Sequence, residues 1–211
     1  MEQQIDLSNI SIEDISKKGT IILFGNTHGF IDDLSIQEML IDLFKPKSYL
    51  FELLEDKNLF NLKEITDFLK RNKDEYFSIT TKNSQIQEVV SRLMNHNLQF
   101  IGCDLKNLGR KNKEELIRTS LTKEEEEYEE QLLKKRETVQ AKKVISVINS
   151  TKKPVFLSVG AYHLREFSYL LQELKGHSLF VAQPFYEDEA LFEPKENIIK
   201  ENIKYKIKKI F

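Results

Sequence analysis

The chain has 211 residues, 40% hydrophobic and 31% charged, with 32 Lys and Arg against 34 Asp and Glu. Its length suits one domain that buries roughly 70% of its unfolded surface, and its near-neutral charge argues against a protein built mainly to hold nucleic acid. One cysteine, Cys103, excludes an intrachain disulfide framework and a Cys-based zinc site.

The opening stretch "MEQQIDLSNISIED" is polar and acidic and lacks the basic and apolar regions of a secretory signal. No apolar run approaches the roughly 18 residues of a membrane span. A cytoplasmic location with no membrane span is therefore expected. "TIILFG" (20–25) is continuous, β-branched and closed by glycine, so it reads as a buried strand. In "DLSIQEMLIDLF", Ile36, Met39, Leu40, Leu43 and Phe44 share one helix face, and Asp33 stands where an N-cap would. "SYLFELL" (48–54) predicts a second strand, interrupted near its end by Glu52. A carboxylate there is costly to bury unless paired or bound to a metal; the alternative is a strand-end Glu turned to solvent.

Helical spacing returns near 59–72 and 84–97, and "LQFIGCD" (98–104) predicts a third strand with Asp104 at its end, as a polar edge residue or a helix cap. Cys103 reads as a small apolar strand residue. "KNLGRKNKEE" (106–115) reads as a loop, with a helical excursion expected around 106–135. The longest helix is expected from about Thr122 to Asn149, acidic first and basic later, as the helix dipole favours. Within it Arg136 and Glu137 read, by themselves, as surface charges. "PVFLSVG" (154–160) and "SLFVAQPF" (178–185) predict two more strands, with a helix from His163 to Lys175 between them, capped by Gly176. The alternation in "NIKYKIKKI" (202–210) suits an antiparallel edge strand. The remaining histidines, His96 and His177, sit where a helix end and a loop are expected.

This order predicts one α/β domain spanning 1–211, its mostly parallel sheet covered by helices on both faces. Two corners then match. "GNTH" and "GAYH" each place a glycine and a histidine, His28 and His163, just beyond a strand's carboxyl end, where open parallel sheets gather their sites. Paired imidazoles suit a metal site or acid–base work. Among the familiar alternatives, no Gly-x-Ser-x-Gly elbow, P-loop or Gly-x-Gly-x-x-Gly fingerprint occurs.

In order, "LFGNTHGFIDDLSIQEML", "SYLFELLEDKNL", "KKRETVQAKKVISVI" and "KKPVFLSVGAYHLREFSYLLQELKGHSLFVAQ" resemble the TraB/Tiki family, within the wider erythromycin esterase-like and ChaN-like fold. The resemblance implies an α/β fold with one polar pocket built from His28, Glu52, Arg136, Glu137 and His163. It implies a metal-assisted, peptidase-like hydrolase of an amide or ester bond. His28, His163 and Glu52 would hold a divalent ion (manganese, cobalt or zinc), and Glu52, Arg136 and Glu137 would do the chemistry. The expected partner is a small-molecule or peptide substrate, with a homo-oligomer compatible. ChaN-like relatives bind haem, so the same pocket used as a non-catalytic small-ligand or haem-binding site is the alternative. Asn26 departs from the family pattern, as does the absence of an esterase-type Glu before His28.

Overall fold

The computed structural model describes residues 5–7, 10–11, 13, 19–27, 33–70, 82–110, 122–192 and 203–210. Among them, nine strands join in one mixed sheet: β1 (Ile5–Asp6), β2 (Thr20–Asn26), β3 (Ser48–Phe51), β4 (Asn58–Leu59), β5 (Gln99–Gly102), β6 (Val155–Gly160), β7 (Ser178–Tyr186), β8 (Glu189–Ala190) and β9 (Lys204–Ile210). Their order is β1-β9-β7-β2-β6-β3-β5-β4, with β8 pairing β7 off that path. The five inner strands, β7, β2, β6, β3 and β5, run parallel. Antiparallel β9 and β4 flank them.

The continuous apolar runs are explained by burial on both faces. Along β2, Ile22 and Phe24 join a core with α1 (Asp33–Phe44), α2 (Leu62–Lys70) and α3 (Lys82–Leu93). Ile21 and Leu23 face the other way, toward α4 (Lys123–Thr151) and α5 (Tyr169–Glu173). On the first face an aromatic row crosses the sheet from Tyr205 to Phe24, Phe156, Tyr49 and Phe100, with ring centroids 4.8, 6.1, 5.3 and 5.7 Å apart in turn. Such pairs contribute roughly 0.5–1.5 kcal/mol each beyond their buried area, so the floor beneath the strand ends is stiff. No described helix is long and apolar enough to cross a membrane.

Several boundaries differ from expectation. Strand β3 stops at Phe51, and Glu52 opens a tight 3-10 turn through Leu54. Glu55 closes that turn at φ 55°, ψ −112°, its N–H donating to the Glu52 carbonyl over 2.9 Å. The helix expected over 163–175 forms only as α5; His163 lies instead in a 3-10 turn, Ala161–Leu164. The reason is local: Ser168 is the true N-cap, its hydroxyl accepting from the Leu171 N–H. Asp33 is the first residue of α1, and its carboxylate reaches back to Thr27. Strand β9 is one place in from the edge, because the two-residue β1 pairs beyond it. Helix α4 does start after Thr122, which forms a reciprocal capping box with Glu125. Of the expected excursion, 106–110 and 122–135 are described; residues 106–109 form a 3-10 turn and α4 begins at Lys123.

Candidate functional site

Strands β2 and β6, which end in the two Gly-x-x-His corners, are direct neighbours, with Asn26 level with Gly160. Gly25 is needed for close approach: a Cβ there would meet Leu164 Cδ1 at 2.8 Å and Ala161 Cα at 3.2 Å, atoms of the turn that carries His163. Gly160 serves differently, since its φ of −56° is open to any residue. Its N–H donates 2.7 Å to Glu52 Oε1. His28, expected opposite His163, lies outside the described residues. The chain on either side of it is anchored. Thr27 donates its N–H (2.7 Å) and hydroxyl (2.9 Å) to Asp33 Oδ2, and the Tyr205 hydroxyl lies 2.7 Å from Asp33 Oδ1 and 2.9 Å from the Gly25 carbonyl.

The other four expected residues meet. His163 is buried between two carboxylates, Nδ1 2.9 Å from Glu137 Oε1 and Nε2 3.3 Å from Glu52 Oε2. Arg136 Nη2 stands 4.0 Å from that same Glu52 oxygen. It is clamped on Asp104, with Nη2 2.6 Å and Nε 3.0 Å from Oδ2. The surface-charge reading of Arg136 and Glu137 is thereby overturned: Glu137 is fully buried and the Arg136 side chain is 16% exposed. Glu137 lies on the inward face of α4 with Ala141, Val144 and Ile148, at i+4, i+7 and i+11.

Three further groups were not anticipated from sequence. Arg165 Nη1 donates to Glu137 Oε1 over 2.5 Å, and the Tyr169 N–H donates to Oε2 over 2.8 Å. Gln140 Nε2 reaches Asp104 Oδ2 at 3.3 Å. The signals were present but faint: Arg165 follows His163 by two residues, and Gln140 sits one helical turn beyond Arg136 and Glu137. Asp104, read as edge residue or cap, also accepts the Leu105 N–H at 2.7 Å. Cys103, expected within the strand, lies one residue past β5 and is buried in the core as a small apolar residue. His96 lies 3.2 Å from Asp42, away from the strand ends.

These contacts set the protonation states. Burial would push the His163 imidazole down, but hydrogen bonds to Glu137 and Glu52 and the Glu52 charge outweigh it, and its pKa rises above the ordinary 6.5. Burial likewise opposes ionisation of Glu137, yet hydrogen bonds from His163 and Arg165 hold its pKa below the ordinary 4.5. Both shifts favour the charged pair, an imidazolium between two acceptors. As a metal site it fits in part. Two ligands about 2.0–2.2 Å from one tetrahedral ion stand roughly 3.3–3.6 Å apart, which the His163 Nε2–Glu52 Oε2 spacing matches. Glu137 is placed as the carboxylate that orients a ligating imidazole through its other nitrogen. Among the described residues, however, no group of three His, Cys, Asp or Glu is set to hold an ion, and Arg136 opposes a further positive charge.

Comparison of the chain with protein-family models, with curated proteins and with solved structures finds no match.

Proposed function

We propose that the charged centre hydrolyses an amide or ester bond by acid–base catalysis, with Glu52 as base and His163 as acid. The observation that supports this reading is the buried His163 imidazole, oriented by Glu137 through Nδ1 while Nε2 faces Glu52. Glu52 Oε2 would take a proton from water as the water oxygen attacks the carbonyl carbon. The His163 Nε2 proton would pass to the leaving oxygen or nitrogen as its bond to that carbon breaks. Transfer from Glu52 to His163 across 3.3 Å then restores both groups. Arg136, held by Asp104, stands beside Glu52 where it would steady the developing oxyanion. Arg165 and the Tyr169 N–H keep Glu137 ionised and in place.

The 3.3 Å donor spacing favours a second reading, in which a divalent ion assists the same hydrolysis. Glu52 and His163 would hold it, with His28 as the third ligand. The ion would supply Lewis acidity at the carbonyl.

Purified protein assayed on p-nitrophenyl esters and fluorogenic peptides tests both. Glu52→Gln and His163→Asn should each lower kcat by about 10²-fold or more. The basic limb of kcat should lie above pH 6.5, because the acid must carry its proton. Loss of activity in EDTA, restored by manganese, cobalt or zinc, selects the metal-assisted form. Turnover unchanged in both variants sinks the hydrolase reading. Ligand uptake, of haem for example, with no product from wild type leaves the pocket a binding site.

A further inference from the structure

A concavity opens beside β7. It has a volume of about 540 Å³, within the 300–1,000 Å³ typical of small-molecule sites. Its floor is β7, where Val181, Gln183 and Phe185 point to one face. The opposite wall carries Leu164 and Leu171. Strand β9 explains why the groove is both greasy and positive. Its alternation sends Tyr205 and Ile207 into the core with α1, leaving Lys204, Lys206 and Lys208 level with Phe185, Gln183 and Val181 on the groove side.

Lys206 is engaged by Asp188 at 2.8 Å and by the Phe185 ring. Lys208 makes a ring contact, 5.6 Å from the Phe185 centroid, and Lys175 stands exposed on the far wall. Among the described residues, neither Lys208 nor Lys175 has an ion-pair partner, and the one acid lining the groove is the exposed Glu166. An independent sign lies in the floor. Gln183 is only 7% exposed; its Nε2 donates to the Leu191 carbonyl, but its Oε1 has no hydrogen-bond partner among the described residues. A buried acceptor left this way costs stability unless something donates to it.

We propose that this groove binds an aliphatic carboxylate bearing a hydroxyl near its head, a hydroxy fatty acid. The chain would lie along Val181, Phe185 and Leu171, the carboxylate would meet Lys175 and Lys208, and the hydroxyl would donate to Gln183 Oε1. The site stands independently of the hydrolase reading, because its readout is binding.

The probe is β-hydroxydodecanoate below its micelle concentration, titrated calorimetrically into the full chain. Saturable binding of one molecule per chain is expected. Lys175→Gln with Lys208→Gln, both at exposed positions, should weaken it by about tenfold. Leu171→Trp should block it with an unchanged circular dichroism spectrum. Gln183→Leu should erase the preference for β-hydroxydodecanoate over dodecanoate. The proposal is overturned by absence of saturable binding, by binding that survives the lysine and Leu171 changes, by equal uptake of dodecanol, by no preference for the hydroxylated acid in wild type, or by preference for an acidic peptide.

Discussion

Glu137→Gln is the sharpest test of the charged centre. The wild-type carboxylate accepts from His163 Nδ1 at 2.9 Å, Arg165 Nη1 at 2.5 Å and the Tyr169 N–H at 2.8 Å. Glutamine has nearly the same shape but only one acceptor oxygen, and its NH2 would face donors. Removing one partner of a buried ion pair costs roughly 3–5 kcal/mol, because a charge is left uncompensated. His163 can limit that cost by shedding its proton, so about 3 kcal/mol is expected near pH 6. The pH dependence follows from the two shifts. The raised His163 pKa makes its contribution complete below 6.5 and lost as pH rises through the folded value. The lowered Glu137 pKa makes its contribution complete above 4.5 and lost as pH falls through the folded value. The gap between wild type and variant should therefore be widest between 4.5 and 6.5 and narrow at alkaline pH. Urea unfolding followed by circular dichroism measures the gap, and imidazole nitrogen NMR measures the His163 titration. A gap that stays constant from about pH 5.5 to 9, or an unchanged His163 pKa, refutes the coupling.

Gly25→Ala should cost about 1–3 kcal/mol, since the new methyl meets Leu164 Cδ1 at 2.8 Å, and trimming Leu164 to Ala in the same chain should recover part of that penalty in a double-mutant cycle. Gly102→Ala should be worse, because its Cβ would meet backbone oxygens of Glu55 and, at 2.6 Å, of Lys57, which cannot swing aside; a loss no larger than that for Gly25→Ala in chemical denaturation would contradict this. Tyr205→Phe removes a hydroxyl placed against Asp33 and the Gly25 carbonyl and should cost about 1–3 kcal/mol, with unchanged thermal stability counting against the network. If a divalent ion binds between His163 and Glu52, it must displace the Nε2 proton; calorimetry in buffers of different ionisation enthalpy at about pH 5.5, below the raised His163 pKa, should then show release of about one proton per ion, and zero release would exclude His163 as the ligand.

Most of the fold was legible because its signals are local. The apolar runs 20–25 and 154–160 correspond to β2 and β6 within one residue, and the start expected at about Thr122 matches α4, which begins at Lys123. The 163–175 segment misled for a physical reason. Leu164, Leu171 and Leu174 continue a helical spacing across Phe167, yet Phe167 is 76% exposed and Ser168 starts the helix afresh. Arg136 and Glu137 were illegible within a charged run, because charge identity says nothing about which side of a helix is covered. The readable clue was register with Ala141, Val144 and Ile148. Arg165 and Gln140 act through contacts 28 and 36 residues away in sequence, which local periodicity does not report.

The charged centre makes sense as one unit rather than as separate pairs. Its groups alternate in sign through space: Asp104, Arg136, Glu52, His163, Glu137, Arg165. With His163 protonated the set holds three cations and three anions, so its total is zero; without that proton it carries one net negative charge. Burying an unbalanced charge is far more costly than burying a balanced set, so the surroundings hold the proton on His163. The same balance says when the proton becomes available. It can leave Nε2 at little cost if another positive charge arrives, and Glu52 taking a proton from water supplies one within 3.3 Å. In the proposed hydrolysis, acid and base would thereby be coupled: protonation of Glu52 would free the His163 proton for a leaving group. A buried imidazole held between two carboxylates just beyond the carboxyl ends of parallel strands is the physical reason to look here for chemistry.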